Sequence, residues 1–106
     1  MPEENKEIKG KGGADPLAGA FLEFMAVERN ASPRTLANYD FALSEYRVRS
    51  ANFKDWQSCT ADDYRLYLFD CMKRDLARST IRLHFAALRS FYKFLTRRKN
   101  LKLNPL

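Results

Sequence analysis

The sequence predicts an all-α fold, a compact four-helix bundle. Three observations carry this. Four segments place apolar residues at spacings of three and four, the period of a helix packed on one side. Each such segment begins at or near a residue able to cap a helix. No stretch alternates polar and apolar residues as a half-buried strand does. Short loops between four helices imply a bundle around one core.

The first helix begins at Asp15-Pro16, a cap followed by proline at the first helical position, and Leu17, Phe21, Phe24 and Met25 carry it to about Glu28. Asn30-Ala31 is a short connection. Ser32-Pro33 repeats the cap-then-proline signal, and Leu36, Tyr39, Leu43 and Tyr46 extend the second helix to about Arg49. From Ser50 to Cys59 no period is sustained, and Phe53 and Trp56 are expected to tuck a turn against the core. Thr60 opens the third helix, with Asp62 and Asp63 favourably placed at its positive start. Tyr64, Tyr67, Leu68 and Cys71 form its apolar stripe, and it should end near Lys73 or Arg74. Ser79 or Thr80 is expected to cap the fourth and longest helix, which reaches about Arg98 with Ile81, Phe85, Leu88, Tyr92 and Leu95 on its inner side.

Residues 1–14 are polar, rich in lysine and glycine, and read as a flexible tail. Residues 15–99 form the helical domain, and residues 100–106 read as an exit segment or the start of a linker, with Asn104-Pro105 as an extended or turn signal. A chain of 106 residues holds one domain of this kind. Eight Phe and five Tyr supply bulky core material. No apolar run approaches the ~20 residues needed to cross a bilayer, so no membrane role is expected. Met1 to Gly13 lacks the apolar stretch of a secretory signal, and a cytoplasmic location is expected. Two cysteines, Cys59 and Cys71, do not call for a disulfide in such a setting. His84 is the single histidine, no closely spaced cysteine pair exists, and neither a metal nor any other cofactor is expected.

The net charge is +6, and its distribution is uneven. Between Lys73 and Leu106 there are ten Lys and Arg against a single acid, Asp75; before Lys73 there are nine against twelve. A basic third on an otherwise mildly acidic chain suits an anionic partner such as nucleic acid. A solvated basic face with no partner is the plain alternative. On the fourth helix Arg78, Arg82, Arg89 and Lys93 fall within about 60° of one another, roughly a quarter turn or more from the Ile81–Phe85–Leu88–Tyr92 stripe. Guanidinium forks match phosphate oxygens, and the hydroxyls of Ser79 and Thr80 lie beside free helix-start amides. Basic residues in a last turn are favoured by the helix dipole, which accounts for Arg97 and Arg98. The same dipole disfavours Arg78 and Arg82, so these need another reason, which a bound phosphate supplies. Arg34, Thr35 and Asn38 near the start of the second helix offer a second set of groups for a groove.

No catalytic residue is expected. Tyr39, Tyr46, Tyr64, Tyr67 and Tyr92 all fall on apolar stripes and read as core. His84 lies at the edge of an inner face and reads as packed. There is no glycine-rich phosphate loop and no recognisable nucleophile motif.

The order of these features resembles the tyrosine recombinases of the phage-integrase type. Ser32-Pro33-Arg34-Thr35-Leu36-Ala37-Asn38-Tyr39, with Leu43 a turn later, is similar to the second helix of that family. Phe21-Leu22-Glu23-Phe24 resembles its opening helix, and Thr60-Ala61-Asp62-Asp63-Tyr64 the start of its third. Ala77-Arg78-Ser79-Thr80-Ile81-Arg82, continuing through Leu88-Arg89-Ser90-Phe91-Tyr92-Lys93-Phe94-Leu95, is similar to its fourth. Asn104-Pro105 matches the dipeptide that leads into the family's catalytic domain. The resemblance spans residues 17 to 106 and implies a Xer-like, SAM-like core-binding domain. It implies that helices two and four approach the major groove of duplex DNA, and that the partners are double-stranded DNA and neighbouring recombinase protomers. It also implies that the catalytic residues, the tyrosine nucleophile included, belong to a domain absent from these residues, so that this chain binds DNA for recombination or integration and is not itself an enzyme. On its own the domain is expected to be monomeric. Two other readings of the helices remain: a helical protein–protein interaction module, and a small helical transcription regulator. The first has no need of Arg78 and Arg82 against the dipole. The second requires a tighter link between helices two and three.

Overall fold

The computed structural model describes residues 15–106; the tail expected over residues 1–14 lies outside the described residues. Four α-helices follow in order, α1 (Pro16–Val27), α2 (Pro33–Arg49), α3 (Ala61–Lys73) and α4 (Arg78–Arg98), with one 3-10 turn at Trp56–Ser58 between α2 and α3. No strand occurs among the described residues. The all-α bundle predicted from the sequence is the fold observed.

Each helix start has a local cause. The Asp15 carboxylate accepts the Ala18 amide at 3.1 Å, and Pro16 follows it. The Ser32 hydroxyl accepts the Thr35 amide at 3.1 Å, again with proline next. At α3 the capping is reciprocal: Thr60 Oγ1 accepts the Asp63 amide at 3.2 Å, and the Asp63 carboxylate accepts the Thr60 amide at 2.9 Å. Two backbone donors are satisfied there by two side chains.

The start of α4 differs from expectation. Neither Ser79 nor Thr80 caps it. Ala77 is the N-cap, without a side-chain hydrogen bond, and Ser79 and Thr80 lie inside the first turn. The cause is the end of α3. Asp75 takes a left-handed conformation (φ 62°), its amide returns to the Met72 carbonyl at 3.0 Å, and the Leu76 amide returns to Cys71 at 3.2 Å. This double return closes α3 and leaves Ala77 extended, ready to begin the next helix. Asn30 and Asn100 also adopt positive φ, just beyond the ends of α1 and α4. Asn and Asp tolerate this conformation better than most residues other than glycine.

The core is aromatic. Tyr46 stacks on Tyr64 at 4.5 Å between centroids and lies 5.8 Å from Trp56, which meets Phe91 edge-on at 4.8 Å. Phe21 of α1 packs on Phe91 and Phe94 of α4 and stacks on Tyr39 of α2. The polar ends of these rings are not stranded. Tyr64 donates to the Tyr92 hydroxyl at 2.8 Å, and Tyr92 donates to the Trp56 carbonyl at 2.7 Å. The Trp56 indole donates to Asp15 at 2.8 Å. Among the described residues no buried side-chain nitrogen or oxygen lacks a partner. The expected turn at Phe53 and Trp56 is thus an anchor that ties the α2–α3 connection to α1 and α4. Cys59 and Cys71 are both free thiols.

Beyond Arg98 the chain is not helical, yet it does not leave the domain at once. The Leu101 amide donates to the Leu95 carbonyl at 3.1 Å, and the Leu101 side chain packs against the core.

Candidate nucleic-acid interface

Helix α4 has a wider buried face than its Ile81–Phe85–Leu88–Tyr92 stripe suggests. His84, Ala87, Leu88, Phe91, Tyr92, Phe94 and Leu95 are buried, whereas Ile81 and Phe85 are only half-buried. The buried face is therefore centred near His84 and Phe91, because α1, α2 and α3 all pack on this helix. Arg78, Arg82, Arg89 and Lys93 are exposed. At 100° per residue their mean direction lies roughly 155° from that buried centre. The basic residues face almost directly away from the core, further round than the sequence expectation of a quarter turn or more.

Among the described residues none of these cations has an acidic partner. Five other arginines are paired: Arg47 with Asp15, Arg49 with Glu45, Arg65 with Asp62, Arg74 with Asp70 and Arg98 with Glu28. No ion pair among the described residues engages Arg34, Arg78, Arg82, Arg89 or Lys93. The first turn of α4 carries no acid, so Arg78 and Arg82 oppose the helix dipole without local relief. The first intrahelical donor is the Ile81 amide, bonded to the Ala77 carbonyl at 3.0 Å. The amides of Arg78, Ser79 and Thr80 precede it and have no acceptor within the helix. Ser79 is exposed and Thr80 half-buried beside them.

On α2, Arg34 is exposed, and Thr35 and Asn38 are half-buried. The Thr35 hydroxyl accepts from Ser32 at 3.1 Å, so it belongs in part to the cap. One turn further, Phe41 is exposed and meets the His84 ring of α4 edge-on at 5.8 Å. This contact brings the middle of α2 against the first half of α4. Sequence reading missed Phe41, since an aromatic on a helical segment is ordinarily assigned to the core.

The remaining titratable groups fit packing, not chemistry. His84 is buried, and desolvation holds its pKa below the ordinary histidine value. Its Nδ1 lies 3.3 Å from the Tyr67 hydroxyl. Burial raises the pKa of Tyr46, Tyr64, Tyr67 and Tyr92, which disfavours the phenolate a nucleophile requires. No group of three or more metal-ligating side chains occurs among the described residues. No described helix is long and apolar enough to cross a membrane.

Comparison with known proteins decides the family. Residues 18–99 match the family described as "Phage integrase, N-terminal SAM-like domain". The chain belongs to that family. Relatives of this SAM-like domain include the tyrosine recombinase XerC of Lacticaseibacillus casei, 40% identical over 93 residues, which cover 85% of this chain and 31% of the relative. XerC of Bacillus subtilis is 34% identical over 87 residues, 80% of this chain and 29% of the relative. XerC of Haemophilus ducreyi is 34% identical over 91 residues, 83% and 30% respectively. The SAM-like domain thus spans about 30% of the length of each of these recombinases. No solved structure matches the chain.

Proposed function

We propose that this SAM-like domain binds duplex DNA on behalf of a site-specific tyrosine recombinase, with α2 and α4 against the major groove. The observation that carries the reading is the row of arginines on α4, exposed, unpaired and aimed away from the core. The energetic logic is electrostatic. Two cations at the positive end of a helix raise the energy of the free protein, and phosphate relieves both the cations and the open amides. Arg82, Arg89 and Lys93 sit along the backbone-facing row, with Arg78, Ser79 and Thr80 at its head. Arg34, Thr35 and Asn38 approach from α2. Phosphate contacts of this kind set position on the duplex and leave sequence reading to groups that reach base edges.

The bond-breaking residues of the recombinase belong, in this reading, to the portion outside the matched third, and these 106 residues hold DNA without cutting it. Residues 15–99 act as the DNA-binding domain and residues 100–106 begin the passage toward the remainder. A helix-turn-helix regulator fits less well, because residues 50–60 and their 3-10 turn separate α2 from α3.

The test is titration of a fluorescent duplex with Arg82→Glu and Arg89→Glu, singly and together. Each single change should weaken binding about tenfold, as expected when a phosphate contact becomes a repulsion. Both residues are exposed, so the circular dichroism should stay native. Undiminished affinity in the double variant, with a native fold, refutes α4 as the interface.

A further inference from the structure

The outward face of α3 is unlike a solvated helix face. Leu66 is 60% exposed and Phe69 55%, and with Asp70 and Lys73 they line an open groove. Met72, 58% exposed, borders the same surface. Isolated exposed apolar residues are ordinary, but large ones adjoining on one helix mark an interaction surface. Tyr64, Tyr67 and Cys71 fill the opposite side and bind α3 to the core. The exposed row is therefore not surplus core.

Its register is specific. Asp62, Leu66, Phe69 and Lys73 follow at intervals of four, three and four, the spacing of the seam along which two helices pack. This row is also self-complementary when read backwards. Two copies of α3 laid antiparallel about the midpoint between Tyr67 and Leu68 bring Leu66 of each against Phe69 of the other. The same operation places Asp62 opposite Lys73. Each pair is thus apolar with apolar or acid with base, and a twofold axis repeats it. At 100° per residue, the centre of this row lies about 165° from the centre of the buried side of α3. The face that matches itself thus also points away from the core.

We propose that the α3 face pairs with a second copy of this chain, in an isologous antiparallel contact built on Leu66 and Phe69 and set in register by Asp62 with Lys73. Closed twofold pairing requires this kind of self-complementarity. Asp62 already meets Arg65 of its own helix at 2.7 Å. Its carboxylate keeps a second oxygen for a further partner. Lys73 has no ion pair among the described residues. The face is one helix wide, so the dimer is weak and concentration-dependent, in contrast to the monomer expected from the sequence. None of its residues belongs to the basic row of α4, so this proposal and the DNA-binding reading stand or fall separately.

Sedimentation equilibrium of the 106-residue chain between about 10 µM and 1 mM tests this, in the range where a contact of this size associates. The wild-type chain should pass from monomer to dimer. Phe69→Asp should weaken the association at least about tenfold, as removal of a central anchor does. Asp62→Lys sets lysine against Lys73 of the partner twice, and Lys73→Asp sets two acids together. Either should weaken it about fivefold. The double variant Asp62→Lys with Lys73→Asp should recover the wild-type constant, because each pair is restored with its signs exchanged. Circular dichroism confirms folding for each variant. A wild-type chain that stays monomeric throughout overturns the proposal, as does association that survives Phe69→Asp. Failure of the double variant to recover overturns the antiparallel register.

Discussion

Asp15 shows how much one side chain can join in a domain of this size. Its carboxylate caps α1 through the Ala18 amide at 3.1 Å, accepts the Trp56 indole at 2.8 Å, and faces the Arg47 guanidinium at 3.5 Å. Three elements meet at one residue. Asp15→Ala should lower stability by about 2–4 kcal/mol, the loss of a cap together with a buried donor left without its charged acceptor. Asp15→Asn keeps an oxygen for the cap or the indole and should lose less than half as much. Urea unfolding followed by Trp56 fluorescence measures both, and equal losses in the two variants would show that charge alone matters there. Only part of this was legible in the sequence. The cap was visible because its partner is three residues away. The indole contact joins residues 41 apart in sequence, and no local pattern announces it. Four of the five tyrosines, Tyr46, Tyr64, Tyr67 and Tyr92, were legible as core from their spacing alone, whereas Tyr39 is half-buried at the edge of that core. The hydroxyl chain from Tyr64 through Tyr92 to the Trp56 carbonyl, which makes their burial tolerable, was not.

At the level of single elements, three of four helix starts follow from local signals, and the exception lies in the candidate site. Ser79 and Thr80 look like caps because their hydroxyls precede an apolar run. The left-handed Asp75 closes α3 early enough for Ala77 to take the cap position. Alanine accepts no amide there, so the α4 start is left open. Stability alone would favour Ser or Asp at this position, and that contrast gives a test. Ala77→Asp should stabilise the domain by about 0.5–1 kcal/mol, since its carboxylate meets open amides at the positive helix end. The same carboxylate would occupy the place proposed for a phosphate, and DNA affinity should fall roughly threefold or more. Thermal unfolding and DNA titration of this one variant read the two effects independently. A gain in stability with unchanged affinity would remove the α4 start from the interface, and leave Arg82, Arg89 and Lys93 to account for binding.

Across the whole molecule, the charge division is plain in the composition and its direction is not. Counting residues locates the positive charge in the last third, most of it on α4 and the segment after it. Periodicity then separates a basic side from an apolar side, but underestimates the angle between them, because it cannot show that α4 is packed by all three other helices. The consequence is a cationic row facing fully outward, while Arg34 is exposed on α2. If Arg34, Arg78, Arg82, Arg89 and Lys93 each neutralise one phosphate, binding releases about five condensed counterions. The slope of log K against log salt should then be about −4 to −5 for duplex DNA. Reversing Arg82 and Arg89 together should bring that slope to about −3 or shallower, since two of the five contacts are lost. Fluorescence anisotropy at four or five salt concentrations measures both slopes without knowledge of the target sequence, because this term does not depend on base order. A steep wild-type slope that the double variant leaves unchanged would place the phosphate contacts on other cations, such as Arg97, Lys99 or Lys102. A flat wild-type slope would deny the electrostatic basis of DNA binding by these residues altogether.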